Sequence, residues 1–264
     1  MYLIAIRSVA MALLETQKLT KTFIGLKAVT NLDLSVNKGQ FFGLIGPNGA
    51  GKTTAFNLIS GVLPVTSGKI IYKGQDITGF KPHIIARLGI IRTFQLASVF
   101  QDLSVLDNIR VALHYKSGVG FLQTLFEPPA MEHKEDGAVR EKAMKLLNIA
   151  GLTGMAEIRA GNLPGGTQKL MSVIIALAGD PELLLLDEPM SGLNAEEIQT
   201  LLRLVKAIRQ ERGTGIIMVE HNMKVVMENC EYIVVINFGE KIAEGTPAQI
   251  ANDKRVIEAY LGSE

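Results

Sequence analysis

The run Gly46-Pro47-Asn48-Gly49-Ala50-Gly51-Lys52-Thr53 follows the pattern G-x-x-x-x-G-K-[ST] without exception. Its glycines let the backbone curl so that several N–H groups face one anion. The helix expected from Lys52 onward adds its positive end to the same point. Lys52 is a mobile point charge that reaches the outer phosphates of a nucleotide. Thr53 supplies a hydroxyl suited to Mg²⁺. The loop also sits between an apolar strand-like run, Phe41 to Ile45, and a helical one. That is the context in which such a loop holds phosphate rather than merely turning the chain.

Leu183-Leu184-Leu185-Leu186-Asp187-Glu188 reads as a buried strand ending in two carboxylates. Ligands of open α/β sheets gather at the carboxyl ends of strands. Asp187 is therefore placed to hold Mg²⁺ and Glu188 to polarise an attacking water. By themselves the two acids are also what a solvated strand end before Pro189 looks like. Gln95 and His221 follow the strand-like runs Ile90–Phe94 and Ile216–Val219, again at carboxyl ends. An amide at Gln95 suits Mg²⁺ or the lytic water, and an imidazole at His221 suits a terminal phosphate. Gly165 and Gly166 open a helix whose stripe is Leu170, Val173, Ile174 and Leu177, which reads either as a second anion site or as a Gly-rich helix start of no further meaning. Phe23, near the end of a strand-like stretch, reads by itself as core packing, though its face could also stack an adenine. Asn194 with Glu197 has the spacing of an N-cap and its box partner.

The elements that must position these residues alternate along the chain. Leu32 to Val36, Phe41 to Ile45, Lys69 to Tyr72, Ile90 to Phe94, Leu183 to Leu186, Ile216 to Val219 and Ile233 to Ile236 read as strands. Lys52–Ser60, Ala195–Arg212 and Lys224–Glu228 read as helices. Between about 104 and 160 the pattern is helical, with Val105–Leu113 and Glu141–Ala150 flanking an irregular insert from Ser117 to Pro129. Thr246-Pro247-Ala248-Gln249 starts a C-terminal helix with a capping box.

The 264 residues suit one α/β domain with a subdomain. The net charge of +1 gives no electrostatic case for nucleic acid as a partner. A single cysteine, Cys230, excludes a disulfide within the chain and fits a reducing compartment. No apolar run reaches the ~20 residues of a membrane span. Residues 1–11 are apolar but lack a basic segment ahead of that stretch, and are read as an N-terminal extension rather than a leader.

Taken in order, Gly46–Thr54, Gln95, Leu163–Gln168, Asp187-Glu188, Ser191–Asn194 and His221 resemble the ABC transporter ATPases over residues 12–262. Arg92-Thr93-Phe94-Gln95, Val219-Glu220-His221-Asn222, the stretch Asn237 to Pro247 and the ending Val256 to Gly262 are similar to the branched-chain amino-acid importer branch. The insert is similar to that of the longer of the two ATPases in such importers. The resemblance implies a P-loop core with a mainly parallel sheet, an antiparallel β region from the N-terminal part, and a helical subdomain. The core is expected over 12–95 and 180–262 and the helical, signature-bearing part over about 96–179.

The resemblance also implies ATP and Mg²⁺ as ligands. Thr53, Gln95 and Asp187 would serve the metal. Gly46, Pro47, Asn48, Gly49, Ala50, Gly51, Lys52, Thr53 and Thr54 would hold phosphates, and Phe23 would stack the adenine. Glu188, His221, Gln95 and Lys52 would act in hydrolysis. Gly165 and Gly166 would act in trans on the nucleotide of a second ATPase subunit, the same chain or a related one. Transmembrane permease subunits and, indirectly, an extracytoplasmic solute-binding protein are the expected partners, at the cytoplasmic face of the inner membrane. The chain departs from the family at Pro164, where a serine is common, and at Leu170, Ser172 and Ile175, where Arg, Glu and Arg are common. The rival readings are a non-transport member and a binding module without hydrolysis. The first tends to carry fused ATPase units or coiled-coil arms, which are not seen, and an intact Glu188 and His221 oppose the second.

Overall fold

The computed structural model describes residues 11–93, 99–117 and 129–261, with side chains described outside 114–136 and 261. Long alternating runs near the start form β1 (Leu14–Phe23) and β2 (Leu26–Val36). With β4 (Ser67–Tyr72) and β5 (Gln75–Asp76) they make an antiparallel sheet of order β2-β1-β4-β5. The sequence shows β2 only from Leu32, because its first half alternates poorly and is partly exposed.

β3 (Phe41–Ile45) is apolar at nearly every position and buried at all of them, as a strand covered on both faces should be. β6 (Ile90–Arg92), β7 (Leu183–Asp187), β8 (Gly215–Val219), β9 (Tyr232–Asn237) and β10 (Glu240–Gly245) join it in the order β10-β9-β3-β8-β7-β6. All these neighbours pair in parallel except β10 with β9. Alternate residues of the strands feed two separate apolar clusters, the period-two consequence of the pleat. Phe42, Leu44, Leu183, Leu185, Ile217 and Val219 pack with the antiparallel sheet and with α1 (Lys52–Ile59). Phe41, Ile45, Leu184, Leu186, Ile216 and Met218 pack toward the helices of the other face.

On that other face, α3 (Val105–Ser117), α4 (Pro129–Ile149) and α5 (Gly165–Ala178) pack on one another. α2 (Pro82–Arg87), which the sequence pattern does not reveal, leads into β6. α4 begins well before Glu141, with Pro129 at its first position, where a missing N–H costs nothing. Residues 118–128, most of the expected insert, lie outside the described residues. α6 (Ala195–Arg212) buries Leu201, Leu202, Leu204, Val205 and Ile208 and is started by a complete capping box of Asn194 and Glu197. α7 (Met223–Asn229) follows β8. The single C-terminal helix expected from Thr246 is two, α8 (Pro247–Ala251) and α9 (Lys254–Leu261), because Asp253 turns to accept the Arg255 N–H at 2.9 Å. Among the described residues no helix is long and apolar enough to cross a membrane.

Candidate functional site

β3 delivers the chain to Gly46, whose close surroundings leave no room for a side chain. A Cβ there would stand 2.0 Å from the Ile236 carbonyl oxygen, and one at Gly51 would stand 2.4 Å from that of Ala28, with φ at 102°. The loop is thus pinned between β2 and β9. Gly51 caps α1 without a side chain, and the first turn of α1 carries no acid. Its leading amides and the helix dipole are therefore aimed at an outside anion. Lys52 folds over the loop, its Nζ donating to the carbonyls of Gly46 at 2.7 Å and Pro47 at 2.8 Å. Burial lowers the Lys52 pKa, and the charges of Glu188 and Asp187 act against that shift.

Asp187 ends β7 and is buried. Its Oδ2 accepts from Arg92 Nη2 at 2.7 Å, an ion pair with both side chains nearly closed to solvent. Its Oδ1 has no hydrogen-bond partner among the described residues. Thr53 stands exposed at the head of α1. A divalent cation fits this pair of groups. A buried carboxylate oxygen without a partner and the hydroxyl of a cavity-lining threonine are oxygen donors of the hard kind, and Mg²⁺ is held by one or two carboxylates plus phosphate oxygens.

Glu188 has φ at 46° and donates its N–H to the Val219 carbonyl at 2.9 Å. This turns its carboxylate toward the start of α7, where His221 Nε2 meets Glu188 Oε1 at 2.8 Å. Glu220, which sequence reasoning missed, is buried and accepts N–H groups from Met190 at 2.8 Å and His221 at 3.1 Å. Burial pushes its pKa up, opposed by hydrogen bonds from the backbone of Met190, His221 and Asn222. It ties the turn after Glu188 to the turn carrying His221.

The phosphate loop, Glu188 and His221 line one cavity of about 310 Å³, together with Leu26, Lys27, Ala28 and Phe238. Leu26, Lys27 and Ala28 carried no sequence signal, and Phe238 only the resemblance of the stretch Asn237 to Pro247. Phe23 does not line it. It is 40% exposed at the end of β1, paired with Leu26, and Lys21 Nζ lies 5.0 Å from its ring centroid. Gln95 lies outside the described residues. Gly165 and Gly166 lie outside the cavity as well, at the head of α5, whose N-cap Pro164 contributes no side-chain bond. The Glu197 carboxylate packs on Gly166, where a Cβ would come within 2.1 Å of Oε1. Lys169, nearly one turn on, donates to the Ser191 carbonyl at 2.6 Å.

The chain is similar to known proteins along nearly all of its length. A family described as "ABC transporter" matches residues 29–191, and one described as "Branched-chain amino acid ATP-binding cassette transporter" matches residues 240–264. The high-affinity branched-chain amino acid transport ATP-binding protein BraF of Pseudomonas aeruginosa is 41% identical over 250 residues, covering 95% of this chain and 98% of that protein. The corresponding LivG of Escherichia coli is 38% identical with the same coverage. A crystal structure of an ATP-binding cassette of an ABC transporter in its ADP conformation superposes with a TM-score of 0.80 at 30% identity, covering 96% of this chain and all of that one.

Proposed function

The chain belongs to the ABC transporter family and is an ATP-hydrolysing subunit of such a transporter, and on that premise we propose that it powers an importer of branched-chain amino acids or a related small polar solute. The observation that carries the chemistry is the single cavity in which the Lys52 loop, Glu188 and His221 converge.

The triphosphate lies along the loop, its charge met by backbone amides, the head of α1 and Lys52. Glu188 receives a proton from the attacking water as the terminal P–O bond breaks, giving ADP and phosphate. His221, held to Glu188 and through its backbone to Glu220, contacts the terminal phosphate. Thr53, Asp187 and Gln95 would hold Mg²⁺, which when bound offsets phosphate charge. Phe23, outside the cavity lining but paired with the cavity-lining Leu26, would stack the adenine from the end of β1.

Residues 12–95 and 180–262 act as the nucleotide core and about 96–179 as the arm bearing Gly165 and Gly166. Because those glycines are not part of the cavity, their amides serve the nucleotide of a second ATPase subunit, which closes over it head to tail. The pair works at the cytoplasmic face of the inner membrane on transmembrane permeases served by an extracytoplasmic solute-binding protein. Closure on ATP and reopening after hydrolysis drive alternating access.

The test is Glu188→Gln beside the unaltered chain. Turnover should fall by about 10²–10⁴-fold while MgATP binding persists. Equal rates would remove the role given to Glu188. Reconstitution with its membrane subunits, with leucine-class and amide solutes compared for stimulation of turnover, identifies the cargo.

A further inference from the structure

Arg92 lies at the end of β6, on the edge of the sheet, and none of the functions above uses it. Its guanidinium spans two elements. Nη2 holds Asp187 Oδ2 at 2.7 Å, while Nη1 donates to Asn57 Oδ1 at 2.6 Å and Ser60 Oγ at 3.3 Å, both on or at the end of α1. The ring of Phe56, also on α1, lies 5.7 Å from its centre. The arginine and aspartate side chains are 7% and 2% exposed.

We propose that Arg92 is a positioning residue for the metal-holding carboxylate. Gripping Oδ2 fixes the rotation of the Asp187 carboxylate and leaves Oδ1, which has no partner among the described residues, as the oxygen presented to Mg²⁺ and its waters. Anchoring the same guanidinium on α1 fixes the spacing between Asp187 and Thr53 at the other end of that helix. Only a planar fork with several donors spans these partners together; a lysine ammonium is a single point on a flexible stem. A cation beside a metal site also repels the metal. The proposal therefore requires the gain from orientation to exceed that repulsion, which makes the sign of the effect decisive.

The inference rests on the nucleotide reading, and the experiment separates the two. ATP binding to the purified chain is measured first in EDTA and then against rising Mg²⁺, with Mn²⁺ titrated by electron paramagnetic resonance as a direct metal readout. If the unaltered chain binds no nucleotide, the underlying reading fails. If it binds, Arg92→Lys should keep metal-free ATP affinity within about twofold and raise the metal concentration for half-saturation by roughly tenfold. Asn57→Ala, which keeps the ion pair and so protects folding, should raise it by a few fold. Unchanged or tighter metal binding in Arg92→Lys overturns the proposal, as does an equal loss of metal-free ATP affinity. Should Arg92→Lys not fold, Asn57→Ala decides by the same criterion.

Discussion

Glu188 occupies a left-handed backbone conformation, φ 46°, that a glutamate rarely adopts and that costs about 1–3 kcal/mol. The Val219 carbonyl and the His221 contact hold it there, and the result is a carboxylate turned into the cavity rather than out along the strand. Cys230 shows the opposite use of surroundings. Burial pushes its thiol up to about 12 from 9.0, so at pH 8 it holds roughly a thousandth of the thiolate of an exposed cysteine. In the native protein Ellman's reagent should therefore react about 10³-fold more slowly than after denaturation, with the rate still rising at pH 10. A fast native reaction at pH 8 would show that the core around Val226 and Gly43 is open. At this scale the sequence displays the groups that act alone, such as Lys52, Asp187 and Glu188, because residue type and spacing announce them. It hides groups that act through a partner. Arg92 and Asp187 are 95 positions apart and Glu220 and Met190 are 30 apart, and only the sheet brings each pair together.

At the scale of elements, two helix starts, those of α5 and α6, meet through one carboxylate. Glu197 closes the capping box of α6 by accepting the Asn194 N–H at 2.9 Å, and the same carboxylate packs against Gly166 at the head of α5. The start of one helix is thus fitted to the start of another. Gly166→Ala must displace Glu197, and loss of half the box should cost about 1 kcal/mol and lower Tm by about 2–4 °C. Gly166→Asp adds a negative charge at the face proposed to receive the partner's terminal phosphate. In the Glu188→Gln background it should abolish ATP-driven pairing, read by light scattering after size exclusion, while ATP binding to the single subunit persists. Pairing that survives in Gly166→Asp would count against a shared site. The capping box of α6 was readable because its signal is local, Asn194 and Glu197 three residues apart. The division of the C-terminal helix into α8 and α9 was not, since a single turn at Asn252-Asp253 breaks an otherwise helical run.

For the whole molecule the open question is how nucleotide chemistry reaches a membrane partner, and the arm of α3, α4 and α5 carries the answer. Its apolar interior runs without a break into one face of the six-stranded sheet, so arm and core share a cluster through which they can move together. Where the arm meets β6, a second cavity of about 340 Å³ opens, lined by Ile91, Thr93, Phe100, Val111, Ser172 and Ile175 among others. Phe100 and Val111 are 58% and 44% exposed there. Two of the departures from the wider family now have a physical account. Ser172 and Ile175 replace an acid and a base on this wall, whose described lining carries charge only at the buried, ion-paired Arg92, while Leu170 is buried in the core. Such a wall suits an apolar helical segment of the proposed permease better than a charged one. Val111→Glu places a carboxylate in it without touching the nucleotide cavity. The isolated variant should bind MgATP and turn over as the unaltered chain does. It should fail to co-purify with its membrane subunits and lose cargo-stimulated hydrolysis by tenfold or more in the assembled transporter. If Val111→Glu assembles and responds to cargo normally, the partner docks elsewhere on the arm, and the uncharged wall at Ser172 and Ile175 needs another cause.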